Sequence, residues 1–78
     1  MKAWELLERK GWCRGHYTDA RGRCCAMEAL TRVYYGRSFH KAHEKLREFT
    51  HGRSVIIWND HIVKNGRQVI AALKAADV

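Results

Sequence analysis

Apolar positions change their spacing several times along this chain, and each change marks an element. At the start, Ala3, Trp4, Leu6 and Leu7 stand among Glu5, Glu8, Arg9 and Lys10, the pattern of an amphipathic helix of about two turns closed by Lys10 and Gly11. A helix that short needs tertiary support, which Trp4 is expected to supply by anchoring in the core. From Gly11 to Arg23 the helical spacing disappears. Trp12, Arg14, His16 and Thr18 alternate with Cys13, Gly15, Tyr17 and Asp19, a period of two that predicts a strand. Asp19-Ala20-Arg21-Gly22 then reads as a turn and Arg23-Cys24 as a short returning strand. Such a two-stranded ribbon is marginal in water unless a helix covers it.

Helical spacing returns in Cys24-Cys25-Ala26-Met27-Glu28-Ala29-Leu30, the stretch on which the rest of the chain is expected to pack. Ala26, Ala29, Leu30, Val33 and Tyr34 share one face of a helix spanning about residues 24–35, with Cys25 in or beside its first turn and Gly36 as its left-handed cap. Ser38 is the expected N-cap of a third helix. Phe39, Ala42, Leu46 and Phe49 take its buried side, Lys41, Glu44, Lys45, Arg47 and Glu48 its wet side, and Gly52 its end. The short link between the two helices predicts an antiparallel hairpin. Ser54-Val55-Ile56-Ile57-Trp58 is a continuous apolar run, predicted as a buried extended segment closed by Asn59-Asp60. The last helix begins near Asn65, whose spacing to Gln68 matches a capping box; Val69, Ile70, Leu73 and Ala76 form its buried stripe, while Lys64, Arg67 and Lys74 stay wet. The expected fold is α+β and mostly helical: about four short helices packed around a small β-ribbon and a buried extended segment, in a single compact domain over residues 1–78.

Composition narrows the functions. A chain of 78 residues buries only about 60% or a little more of the surface its unfolded form exposes, which argues against a deep substrate cleft. No apolar run approaches the ~20 residues of a membrane span, and Glu5 and Glu8 lie where a signal peptide would be apolar, so the expectation is a cytoplasmic protein with no membrane partner. Three cysteines, two of them adjacent, fit no disulfide framework and read as reduced thiols. Fifteen Lys and Arg against 8 Asp and Glu give a net charge of +7, which favours polyanions or acidic protein surfaces as partners.

Several residue sets suggest chemistry. Cys25 at a helix N-terminus would gain thiolate character from the helix dipole, and the order Cys25, His51, Asn59 imitates a thiol protease of the papain type. Order is not geometry, however, and a small buried cysteine is the simpler expectation. Cys13, His16, Cys24 or Cys25, His40 and His43 offer thiolate and imidazole ligands. On a strand the first two would point to opposite faces, so no metal and no cofactor is expected. Trp58, Asn59 and Asp60 read as a structural motif, with Trp58 completing the core and the two polar residues holding a turn. The candidate binding residues are Arg9, Lys10, Trp12, Arg14, Tyr17, Arg21 and Arg23, a basic and aromatic ribbon suited to phosphates and unpaired bases.

Gly11-Trp12, Gly15, Tyr17, Asp19, Gly22, then Cys25-Ala26-Met27-Glu28-Ala29-Leu30, then Trp58-Asn59-Asp60 occur in that order. Together they resemble a family of small uncharacterised proteins from actinobacteria and their phages, marked by Gly-Trp, Cys-x-x-Gly-Ala-Leu and Trp-Asn-Asp motifs. The resemblance covers nearly the whole chain, which departs from it at Glu28, where the family carries Gly, and in a shorter turn before Cys25. It implies no activity. It does imply a phage association, which suggests a small non-enzymatic accessory protein that binds and inhibits a host defence or regulatory complex. The alternatives are a direct, largely sequence-independent DNA or RNA binder acting through the basic ribbon, and a small thiol enzyme using Cys25.

Overall fold

Five helices organise the chain in a computed structural model that describes residues 1–78. They are α1 (Ala3–Lys10), α2 (Ala26–Val33), α3 (Gly36–Arg47), α4 (Val55–Ile57), which runs straight into a π-helical turn at Trp58–Ile62, and α5 (Gly66–Ala76). Helix α2 is central, with α1, α3 and α4 all packed against it and α5 closing over α1 and α3. Its small residues permit that arrangement: Ala26 and Ala29 are fully buried beside Leu30, so neighbouring helices approach closely. Leu7, Leu46, Val55, Trp58, Val69 and Leu73 complete one continuous core. Trp4 is half-buried, with the Lys74 ammonium 4.6 Å from its ring centroid.

The two ends of the chain are tied together. Asp77 adopts a left-handed backbone (φ 59°) that turns Val78 into the core. The Val78 carbonyl then accepts from the Ala3 N–H at 2.6 Å and from the Tyr34 hydroxyl at 2.7 Å.

The expected β-ribbon is absent. The five helices and the π-helical turn together hold 60% of the residues and the chain forms no strand and no sheet, so the domain is all-helical rather than α+β. Alternation along Gly11–Arg23 was a chance match to period two, because the backbone turns at Gly15 and Gly22, both with φ near +80°, where an extended strand cannot pass. What remains of pairing is two isolated bridges, Trp12 to Cys24 and Thr18 to Cys24. Cys24 thus zips both arms of one loop: the Cys13 N–H donates to Cys24 O, and the Asp19 N–H to Arg23 O, each at 3.0 Å.

The predicted extended segment is also a helix. Ser54 caps α4 by accepting from the Ile57 N–H at 3.1 Å, and only Val55 and Trp58 of the apolar run are buried, while Ile56 and Ile57 face solvent. Three-residue spacing had been hidden inside a uniform run. Asn59 and Asp60 belong to the π-helical turn and not to a closing turn. Boundaries move in the middle of the chain as well. Cys25 is the N-cap of α2, which ends at Val33; Gly36 opens α3 instead of capping α2; and Ser38 sits in the first turn of α3, its hydroxyl 2.7 Å from the Tyr35 carbonyl. The last helix starts where expected, with Asn65 as its N-cap accepting from the Gln68 N–H at 3.1 Å; the capping box is not closed, because Gln68 Oε1 accepts from the Lys64 N–H at 2.7 Å, one residue before the cap.

Candidate functional site

The loop between α1 and α2 carries most of the chemistry-bearing residues, and it is held by one side chain from the other end of the sequence. Asn59 is fully buried. Its Oδ1 accepts from the Trp12 indole N–H at 2.7 Å and from the Ala26 backbone N–H at 3.0 Å; its Nδ2 donates to the Cys13 carbonyl at 3.2 Å and to Asp60 Oδ1 at 2.8 Å. Both acceptor sites and both donor hydrogens are used, which fixes the orientation of the amide. The π-helical turn makes this possible. It closes with the Val63 N–H donating to Trp58 O at 3.0 Å, and so turns two successive side chains inward, Trp58 to the core and Asn59 to the loop.

Around that hub the loop is packed, not merely tethered. Trp12 lies against Gly66 at the start of α5, with the Arg14 guanidinium 5.2 Å from its ring centroid, and Arg14 donates to the Val63 carbonyl. Asp60 Oδ1 also accepts from the Gly15 N–H at 3.0 Å. Burial pushes the Asp60 carboxyl up, but the Gly15 N–H, the Asn59 amide and the nearby His61 and Arg14 charges outweigh it and hold the group below the usual carboxylate range. Asp19 organises the far turn: its Oδ1 accepts from the Arg21 and Arg23 N–H groups at 3.0 and 2.9 Å, and its Oδ2 meets Arg23 Nε at 2.6 Å.

The thiols are spent on structure. Cys13 is buried with the Arg23 and His16 carbonyls at 3.2 and 3.3 Å from its sulfur. Cys25 Sγ caps α2 by accepting from the Glu28 N–H at 3.3 Å. Burial pushes the Cys25 thiol up, and the Glu28 and Met27 N–H groups do not offset that burial and the Asp60 and Glu28 charges, so the helix end fails to make a thiolate. His51 stands at a positive-φ turn beside Phe49 and Trp58, lining a different cavity from Cys25, and Asn59 is fully occupied. The papain-like order is thus not a papain-like geometry. Nor do any three His, Cys, Asp or Glu side chains converge as a metal site would require; His40 pairs with Glu44 and His43 stacks on Phe39. Alkylation of the native chain at neutral pH is expected to be slow at all three cysteines and fast only after unfolding. Rapid selective labelling of Cys25 would contradict this.

Of the residues singled out from the sequence, Trp12, Arg14, Cys25, Asn59 and Asp60 are brought together, whereas Trp58 faces the core. Arg14 and Arg23 are engaged by the loop itself; Arg9, Lys10 and Arg21 are exposed and make no ion pair within 4.0 Å. Tyr17 is 58% exposed at the rim of a pocket of about 170 Å³ lined by Gly15, His16, Tyr17, Cys25, Ile56 and Asp60. Next to it, sharing His16, lies an open concavity of about 440 Å³ that includes Asp19, Arg21 and Arg23. Ile56 and Gly66 were missed in the sequence: Ile56 was hidden in an apolar run, while a glycine opening a helix, where it is a poor former, was the available signal for Gly66.

No helix is long and apolar enough to cross a membrane. No curated protein and no solved structure matches this chain. A family of unknown function (DUF6197) matches residues 1–77, a span that includes the whole of the loop, its hub and its pocket, and the chain belongs to that family.

Proposed function

We propose that this is a non-enzymatic binding protein that uses the face made by the loop tip and α4 to hold a macromolecular partner. One observation carries the reading: the thiols and the amide that sequence order could have assigned to catalysis are consumed in fixing the loop, while Tyr17 and Ile56 are left exposed at a ready-made pocket and Ile57, next to Ile56 in α4, is exposed as well. Pre-organisation of this kind lowers the entropy cost of binding. A net charge of +7 favours an acidic surface or a nucleoprotein as partner. Small size and the resemblance to phage-associated proteins support an accessory role in a phage or mobile element, acting on a host defence or regulatory complex.

The test is affinity capture from a lysate of the cells that carry the protein, comparing the native chain with Tyr17→Ala, Ile57→Glu and, as a charge control, Arg9→Gln. The expected result is one component retained by the native chain and the control but lost with the other two variants. No component above background, or one retained equally by all four proteins, would contradict the reading.

A further inference from the structure

Two adjoining concavities on this face have complementary chemistry. The smaller is mostly apolar, lined by Tyr17, Ile56 and Cys25 together with Gly15 and His16, and it contains a single charged group, Asp60. At about 170 Å³ it compares with the ~150 Å³ cavity that accommodates one benzene ring, so it suits a single six-membered ring. Asp60 Oδ1 is taken by Gly15 and Asn59, whereas Oδ2 makes no hydrogen bond. An ionised carboxylate with a free oxygen at a ring-sized pocket accepts from an exocyclic amino group, as carboxylates do from cytosine N4. The larger concavity presents Arg21, unpaired, and Arg23, whose Nε is held by Asp19 while its two terminal nitrogens are free. His16 is common to both. A second concavity of about 190 Å³ beside α3 also sets an aromatic residue, Tyr34, among Lys2, Lys41 and Lys45, but there the Asp77 carboxylate is paired with Lys2 and the Tyr34 hydroxyl donates to the Val78 carbonyl.

We propose that this face binds single-stranded nucleic acid, seating one unpaired cytosine in the Tyr17–Ile56–Asp60 pocket with the neighbouring phosphate on Arg21 and Arg23. The proposal rests on the binding role of this face argued above and names the chemistry that it recognises. Single-strandedness follows from the pocket, because a base must leave its stack to enter. Tyr17 supplies a ring for stacking, and Asp60 discriminates cytosine, which offers an amino group, from uracil, which offers a carbonyl.

Fluorescence anisotropy of the full chain with labelled oligocytidylate, oligouridylate and their deoxy counterparts tests it; the ribo and deoxy arms separate RNA from DNA as the source of the base. Oligocytidylate is expected to bind at least about fivefold more tightly than oligouridylate, and a duplex more weakly than either. Asp60→Asn turns the free acceptor into a donor and should invert that preference. Tyr17→Ala should weaken every single strand by about fivefold or more. Arg21→Gln should weaken them uniformly and reduce the slope of log affinity against log salt by about 0.7. Both of the last two positions are exposed, so they report even if Asp60→Asn perturbs the loop. Absence of single-strand binding at low salt, or equal affinity for the two homopolymers, would overturn the proposal. A protein partner still captured through Tyr17 and Ile57 in that case would leave the binding role standing.

Discussion

Asn59→Ala is expected to lower stability by about 3 kcal/mol or more, because it strips partners from several buried groups at once. Trp12 Nε1, the Ala26 N–H and the Cys13 carbonyl all lose the bond that satisfies them, and Asp60 loses the donor that helps to keep it ionised. In a domain this size each kcal/mol moves the melting temperature by about 4–8 °C, so thermal unfolding should show a drop of roughly 12–24 °C. Asn59→Asp provides a sharper version. It keeps an acceptor for Trp12 and Ala26 but places a second carboxylate where the amide lay 2.8 Å from Asp60. Two such carboxylates cannot both ionise at low cost, so one of them acquires a folded-state pKa above its unfolded value. The stability tied to that proton is present below the unfolded pKa and lost as pH rises through the folded one. Asn59→Asp should therefore recover stability on acidification relative to Asn59→Ala. Parallel pH profiles for the two variants would contradict the assigned contacts.

Gly66→Ala is expected to destabilise by about 1–3 kcal/mol, although alanine is the better helix former by roughly 1 kcal/mol. A Cβ at residue 66 would lie 2.9 Å from Trp12 Cβ and 3.4 Å from Trp12 Cγ. Those are the root atoms of a side chain pinned at its other end by Asn59, so neither can swing away cheaply. Chemical denaturation gives the size of the effect, and the indole resonance of Trp12 should shift because the ring is pushed from the hub. A net gain in stability would mean that Trp12 yields freely and that the loop is not braced by α5.

Elements whose buried residues recur at helical steps were legible in the sequence. Helices α1 and α5 lie where the apolar spacing and the Asn65 cap put them, and α2 buries the predicted Ala26, Ala29 and Leu30. The loop was not legible, for a physical reason: its conformation is dictated by Gly15 and Gly22 at positive φ and by hydrogen bonds to Asn59, some 33 to 47 residues away in sequence. Local alternation carries no trace of a partner that distant. Residues 54–58 failed differently, since an all-apolar run hides whether its period is two or three, and Ser54 as an N-cap was the overlooked clue. For the site, the Gly-Trp, Cys and Trp-Asn-Asp motifs marked the right residues without saying that the Trp12 indole and the Asp60 carboxylate meet at the Asn59 amide. Arg14 and Arg23 counted as free charge in the sequence; in the fold Arg14 stacks on Trp12 and Arg23 pairs with Asp19.

The claim on which the rest depends is that Asn59 fixes the Trp12–Ala26 loop before any partner arrives. Hydrogen exchange of the Trp12 indole proton in the free protein tests it most directly. The indole N–H is only 2.7 Å from Asn59 Oδ1, so it should exchange as slowly as the backbone amides of Leu30 and Leu46 and open only with global unfolding. Exchange at the rate of an exposed indole, with the core amides still protected, would show a loop that is loose in the free protein and would contradict the account.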